Sequence, residues 1–178
     1  PYKGIGVWCA VHTIPMYSKI NKKYLRMINP EILNKLFDEY DIVAGKKYNL
    51  RCIDSNYQTP ADRMAEPVMA GEEGRIQYHK MEKLIRELHP EYISELEEMN
   101  KTCEHYLCNM FVAKKELYNE CCEFVFDILL RMLKEFKEKD EILLGQMRTL
   151  ALLSEFLTSL FISKYKREHT NKVKELPF

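Results

Sequence analysis

Polar side chains that could bind a ligand or move a proton stand at the ends of predicted strands and helices. His12 ends the first predicted strand, and Tyr78 and His79 lie where a helix begins after a glycine-containing stretch. Ligands of open α/β sheets gather at strand ends, so His12 is a candidate for binding a phosphate or a sugar hydroxyl. The structural alternatives are commoner: a hydrogen-bonded core histidine for His12, and a solvated helix end for Tyr78 and His79.

The segment 104–112 carries the most informative polar residues. Asn109 lies just inside a predicted apolar strand, where an unpaired buried amide would cost about 1–3 kcal/mol. Its amide is therefore predicted either to brace the backbone or to contact a ligand. His105 immediately precedes this strand, where it could titrate near neutral pH or donate a hydrogen bond to a ligand.

Two charged residues interrupt the last predicted helix. Arg148 and Glu155 are seven residues apart and so lie on the same face of a helix that is otherwise largely apolar. Buried charges are usually paired, which favours a salt bridge between them or with a neighbouring helix. The functional alternative is that Arg148 faces a diphosphate or an acceptor.

Motifs of several enzyme classes are missing from the sequence. It has no G-x-x-x-x-G-K or G-x-G-x-x-G phosphate loop, no G-x-S-x-G nucleophile elbow and no Asp-x-Asp pair. The spacing Cys103-x-His105-x-x-Cys108 matches no standard zinc pattern, so no metal site is predicted. The six cysteines read as small buried hydrophobes of a reduced cytosolic protein.

Composition excludes further classes. The chain has 178 residues, with 27 Lys+Arg against 27 Asp+Glu, and this zero balance argues against a nucleic-acid partner bound through bulk charge. A hydrophobic content of 46% is that of a folded protein rather than a disordered one. There is no apolar run long enough to predict a membrane span.

Hydrophobic periodicity predicts an α/β fold whose C-terminal part is strongly helical, in a single domain over residues 1–178. Apolar runs predict strands at 4–12, 40–44 and 108–113, and an edge strand in the tail at 173–178. Asn29 and Pro30 predict a helix start. Further helices are predicted at 76–88, 90–99, 117–136 and 142–165. Residues 48–74 show little periodicity and are predicted to form a functional or mobile loop.

Residues 108–129 read CNMFVAKKELYNECCEFVFDIL. This stretch resembles the C-terminal signature of the DUF4422 family, glycosyltransferase-like proteins of bacterial capsular and exopolysaccharide gene clusters. The segments Gln146-Met147-Arg148, Leu153-Ser154-Glu155 and 172–177 (KVKELP) resemble other parts of the family pattern, as do 40–43 (YDIV) and 89–92 (HPEY).

The resemblance implies a fold related to GT-A glycosyltransferases, with a mixed sheet and helices. It also implies transfer of a hexosyl unit from a nucleotide-sugar donor to a glycan or lipid-linked acceptor. Asp41, His105, Asn109 and Arg148 are then the expected ligand-facing residues. A divalent cation, Mg²⁺ or Mn²⁺, follows from the analogy of fold alone. A lipid-linked acceptor would place the protein in the cytoplasm, near the inner face of the membrane.

The chain also departs from the family pattern. It has Val11-His12-Thr13-Ile14 where the family often has H-Y-R-R, and Phe156 where an Arg follows the last Glu. No segment matches the first strands of the nucleotide-binding half, so the chain is expected to be part of a longer protein. The alternative to an enzyme is a non-catalytic, glycosyltransferase-like binding or scaffold domain.

Overall fold

The computed structural model describes residues 30–138 and 144–176. The chain divides after Glu39 into two units. In the first unit the structure describes one helix, α1 (Pro30–Glu39), which begins at the proline that the sequence predicts for a first helical position. The predicted cap Asn29, the predicted strand 4–12 and the candidate His12 lie outside the described residues.

A three-stranded mixed sheet lies in the second unit. Its central strand is β1 (Ile42–Gly45), with β4 (Phe111–Ala113) antiparallel on one side and β5 (Val173–Leu176) parallel on the other. Val43 pairs with Val112 and with Lys174. The β1 side chains are buried, as expected of a short apolar run in the centre of a sheet. The predicted edge strand in the tail is confirmed.

A second, two-stranded ladder joins β2 (Tyr48–Asn49) to β3 (Glu104–His105), with Tyr48 opposite His105. The loop predicted over residues 48–74 is therefore wrong for much of its length. Besides β2 it holds a 3₁₀ turn (Leu50–Cys52), helix α2 (Pro60–Met64) and the first turn of α3. These short elements depend on hydrogen bonds from polar side chains, which produce no periodic hydrophobic pattern in the sequence. For example, the side chain of Asp62 accepts a hydrogen bond from Thr59 N at 2.9 Å and so caps α2.

Helices make up most of the remaining fold. They are α3 (Gly71–Leu88), a 3₁₀ turn (Pro90–Tyr92), α4 (Ile93–Thr102), α5 (Lys115–Glu138) and α6 (Leu144–Glu168). Helix α6 packs against α3, α4, α5, β3 and β5. Its apolar residues Leu153, Leu157 and Leu160 are buried, which confirms the predicted burial of the last helix. No helix in the described ranges is long and apolar enough to cross a membrane.

Two local predictions need correction. The third strand begins at Phe111 and not at Cys108, because Cys108 and Asn109 adopt left-handed backbone conformations with φ of 61° and 51°. The cysteines also differ in burial, although the sequence predicts all of them to be buried. Cys103 and Cys121 are buried as predicted, whereas Cys52 is exposed.

Candidate functional site

The carboxyl ends of the two parallel strands lie at one edge of the sheet. Lys46 N, which follows β1, donates to Leu176 O at the end of β5 over 3.1 Å. Ligands of parallel sheets bind outside the carboxyl ends of the strands. Five polar or charged residues gather at this edge and are called here the carboxyl-end cluster: Lys47, His105, Tyr106, Lys166 and Glu175.

Glu175 is the acidic centre of the carboxyl-end cluster. Its Oε1 accepts from Tyr106 Oη at 2.5 Å and from Lys166 Nζ at 2.7 Å. Burial alone would raise the pKa of Glu175, but these two hydrogen bonds and the nearby lysine charges outweigh it and lower that pKa. Glu175 is therefore ionised at neutral pH, and its charge is offset by Lys166.

Lys47 is a half-buried cation of the same cluster. Its Nζ lies 5.5 Å from the centroid of the Tyr106 ring. Burial lowers the pKa of Lys47 and the charge of Lys166 lowers it further, while Glu104, Glu175 and others oppose the shift. Within residues 30–138 and 144–176, no carboxylate oxygen lies at salt-bridge distance from this ammonium.

His105 is the buried imidazole of the cluster. It is 2% exposed, and its ring centroid lies 4.8 Å from that of Phe156. Its buried Nδ1 has no hydrogen-bond partner in the described part of the chain. Burial, assisted by the charge of Lys47, lowers the pKa of His105 to about 4. The predicted titration near neutral pH is therefore wrong, because the ring is neutral there; donation to a ligand stays a prediction.

The chain after His105 is fastened to one face of α6. Tyr106 N donates to Ser159 Oγ at 3.1 Å, and Cys108 N donates to Glu155 Oε2 at 2.9 Å. Asn109 is exposed, and its Nδ2 donates to Ser154 Oγ at 2.8 Å. Two of the predicted residues thus take part in attaching this segment to α6: Glu155 accepts from the backbone of Cys108, and the Asn109 side chain bonds the side chain of Ser154.

Glu155 and Arg148 do not form the ion pair considered from the sequence. Arg148 is exposed on α6, whereas Glu155 is half-buried and uses Oε2 to bind the Cys108 amide. Burial raises the pKa of Glu155, and the hydrogen bond from Cys108 N opposes that rise. A role of Arg148 towards a diphosphate stays a prediction.

Asp41 joins three elements at the start of β1. Its Oδ1 accepts a hydrogen bond of 2.5 Å from Nζ of Lys114, the residue just before α5. Its Oδ2 accepts one of 2.8 Å from Oη of Tyr165, which lies on α6. Burial would raise the pKa of Asp41, but these hydrogen bonds and the charge of Lys114 lower it. Both carboxylate oxygens thus have partners within the fold, which supports a structural role.

Tyr78 and His79 point to different environments. Tyr78 is fully buried, its Oη donates to Asn100 Oδ1 at 2.8 Å, and burial raises its pKa well above the ordinary value. Its ring meets Phe156 edge-on, with 5.3 Å between centroids. His79 is exposed, with Nδ1 2.6 Å from Glu82 Oε2. Only Tyr78 shares a neighbour, Phe156, with the carboxyl-end cluster.

Four members of the carboxyl-end cluster are absent from the sequence-based candidates: Lys47, Tyr106, Lys166 and Glu175. Lys47 could have been found, since a lysine two residues after a buried strand satisfies the strand-end rule that selected His12. Lys166 and Glu175 carry no such signal. Lys166 lies at the charged end of a predicted helix, and Glu175 lies in a tail where polar and apolar residues alternate. Exposed charges are common in both settings.

A metal site does not emerge from the described residues. Within 30–138 and 144–176, no group of three or more His, Cys, Asp or Glu side chains is arranged to hold a metal ion. The divalent cation that the fold analogy implies therefore finds no ligand set in this part of the chain.

Comparison with known sequences identifies the family. The sequence model of DUF4422, described as a domain of unknown function, matches residues 12–167. This chain belongs to the DUF4422 family. The resemblance inferred from residues 108–129 is thereby confirmed. No curated protein matches the chain.

Comparison with solved structures confirms the glycosyltransferase-like α/β fold. The chain is similar to the apo structure of WbbM, a bifunctional glycosyltransferase, with a TM-score of 0.70 and 22% sequence identity. The match covers 91% of this chain and 28% of that chain. The chain therefore spans less than a third of the length of the glycosyltransferase whose fold it shares.

Proposed function

We propose that this chain is a glycosyltransferase, or the C-terminal portion of one, that transfers a hexosyl unit from a nucleotide sugar to a glycan or lipid-linked acceptor. The observation that carries the proposal is the shared fold with a bifunctional glycosyltransferase over 91% of the chain. We place the reaction in capsular or exopolysaccharide synthesis, as the family resemblance implies, and the protein in the cytoplasm near the inner face of the membrane.

The carboxyl-end cluster supports this function chemically. Glycosyl transfer leaves negative charge on the departing nucleoside diphosphate, and fixed positive groups aimed at that charge lower the barrier. The cluster offers Lys47 and Lys166 at the sheet edge where ligands of parallel strands bind. Its neutral imidazole and tyrosine could orient a sugar or an acceptor hydroxyl.

Calorimetric titration tests the proposal directly. The 178-residue chain and the complete gene product are each titrated with nucleoside diphosphates and with a panel of nucleotide hexoses. We expect the complete gene product to bind at least one nucleotide hexose and to release its diphosphate when an acceptor glycan is added. Absence of any such binding by the complete gene product would overturn the proposal.

The second candidate is a non-catalytic binding or scaffold domain. Phe156 favours it, because this apolar ring stands between Tyr78 and His105 where the family pattern has an arginine. Such a domain would bind a glycan or a nucleotide sugar without turnover. Binding in the calorimeter, combined with no diphosphate release from any donor and acceptor pair, would support this candidate against the enzyme.

A further inference from the structure

We propose that one face of α5 pairs with the same face of a second copy of this chain, with the two helices antiparallel. Six apolar side chains, called here the α5 stripe, make up this face: Tyr118, Cys122, Phe126, Leu129, Leu130 and Leu133. Their spacings of three and four residues place them along one side of the helix, over a length of about 22 Å.

The α5 stripe is open for apolar side chains on a long helix. Tyr118, Phe126 and Leu130 are 52%, 53% and 59% exposed. Helix α5 packs against α3 and α6, and its buried residues Phe124 and Ile128 lie on the side opposite Phe126. The apolar surface of α5 is therefore wider than the described residues cover, and contiguous exposed apolar surface marks an interaction site.

The spacing within the α5 stripe suits a second helix. Phe126, Leu129 and Leu133 follow the alternation of three and four residues that forms a coiled-coil seam, where side chains of one helix fit between those of the other. In an antiparallel pair, Phe126 can face Leu129 of the second copy. Cys122 then faces Leu133 of the second copy, so each layer of the seam joins two apolar side chains.

The charged border of the α5 stripe complements itself in the same register. Glu123 and Lys134 are both exposed and lie at the same edge of the stripe, three turns apart. The antiparallel arrangement brings Glu123 of each copy to Lys134 of the other, which makes two pairs of opposite charge. A parallel pair would leave these two residues about 16 Å apart along the helix axis.

A lipid surface fits this border less well. Helices that lie on membranes carry mainly lysine and arginine beside their apolar face, because these residues bind anionic headgroups. The exposed residues Glu116 and Glu123 stand at this edge of the α5 stripe instead. The charges therefore favour a second copy of the chain.

The size of the α5 stripe sets the expected strength of the pairing. A stable interface buries about 800 Å² on each partner, and one helix face of about four turns provides less. We therefore expect a reversible, concentration-dependent dimer with a Kd of about 10–500 µM rather than an obligate one.

Sedimentation equilibrium of the 178-residue chain, at about 5–500 µM protein, measures this association. We expect Phe126→Glu to raise the Kd at least about 10-fold, since it places a charge in the middle of the seam. Its melting temperature should match that of wild type, because Phe126 is exposed in the single chain. Val68→Glu is the matched control: Val68 is 63% exposed and lies outside the α5 stripe, so the Kd should change less than about twofold.

Charge reversal tests the antiparallel register. Glu123→Lys and Lys134→Glu should each raise the Kd about fivefold, because each places like charges together in both pairs. The double variant restores opposite charges and should return the Kd to within about twofold of wild type.

Three outcomes would overturn the proposal. They are a chain that stays monomeric up to about 500 µM, a dimer that Phe126→Glu leaves unchanged, and a double charge variant that does not regain the association. Co-sedimentation of a monomeric chain with phosphatidylglycerol vesicles, lost in Phe126→Glu, would show that the α5 stripe binds lipid instead. None of these outcomes depends on whether the chain binds a nucleotide sugar.

Discussion

At the scale of single residues, His105 combines nearly complete burial with a polar nitrogen, Nδ1, that has no hydrogen-bond partner in the described part of the chain. An unpaired buried polar group costs about 1–3 kcal/mol, so its retention works against stability. Binding sites commonly carry such a cost, since a group that awaits a ligand cannot also be satisfied by the protein. The neutral state of the imidazole has a further consequence for acid stability.

We predict that His105 makes the protein acid-sensitive. The pKa of His105 falls from 6.5 to about 4 on folding. Between these two pH values the imidazole is therefore mostly protonated in the unfolded chain and mostly neutral in the folded chain. The stability contributed by the neutral ring is complete above pH 6.5 and is lost as the pH falls towards 4, by about 3 kcal/mol.

Urea unfolding of wild type and His105→Leu across this pH range measures the effect. The variant should lack this component of the acid-induced loss and should be at least as stable as wild type at pH 7. Parallel losses of unfolding free energy in the two proteins would contradict the assignment.

Asn109 allows a second prediction at this scale. Its φ of 51° is costly for alanine but not for glycine, and its side chain donates to Ser154 Oγ. Asn109→Ala should therefore lower the unfolding free energy by about 1–2 kcal/mol, and Asn109→Gly by less. Chemical unfolding of both variants checks this order. Unchanged stability together with lost ligand binding would instead make Asn109 a ligand-binding residue.

At the scale of elements, polar clamps hold segments that have no hydrophobic period. Arg51 is the clearest case: its guanidinium donates to the carbonyl oxygens of Tyr57, Gln58, Lys101 and Thr102. Two of these acceptors belong to the last turn of α4, whose carbonyls have no partners within the helix. Arg51 therefore connects the chain between β2 and α2 to the end of α4.

Replacing Arg51 tests this clamp. Arg51→Met should lower the unfolding free energy by about 2–3 kcal/mol, because it leaves several carbonyls without a donor. Arg51→Lys should recover little of the loss, since an ammonium cannot reproduce the planar fork that reaches carbonyls of two segments. Hydrogen exchange should show faster opening of residues 50–59 in both variants. Full recovery by lysine would indicate that charge, rather than fork geometry, holds the segment.

Elements with an apolar pattern could be predicted from the sequence, whereas those held by polar side chains could not. Helices α5 and α6 and strands β1 and β5 were predicted near their observed positions because each carries its own apolar pattern. Sequence analysis does not predict helix α2 or strand β2, because hydrogen bonds rather than a buried apolar face hold them in place. Such bonds produce no periodic pattern of hydrophobic residues. Strand β4 was placed too early, since apolar composition does not reveal the left-handed turn at Cys108 and Asn109.

At the scale of the whole molecule, residues from distant parts of the chain meet at one sheet edge. Strand β5 pairs in parallel with β1, although the two lie near opposite ends of the described unit. This pairing brings Glu175 and Lys166 to Lys47, and α6 then holds the segment after His105 against them through Ser159. The cluster exists only because sheet pairing and helix packing occur together.

The sequence by itself determined the family, the α/β class and the positions of the main helices, because these follow from local motifs and periodicity. It also selected His105, through its place before an apolar strand. Only the tertiary structure decided that the His105 ring is neutral and that Asp41 and Glu155 have partners in the fold. It also decided that, among residues 30–138 and 144–176, His105 Nδ1 has no hydrogen-bond partner and Lys47 has no carboxylate at salt-bridge distance. Burial and pairing depend on which distant residues are neighbours, and no local pattern encodes that.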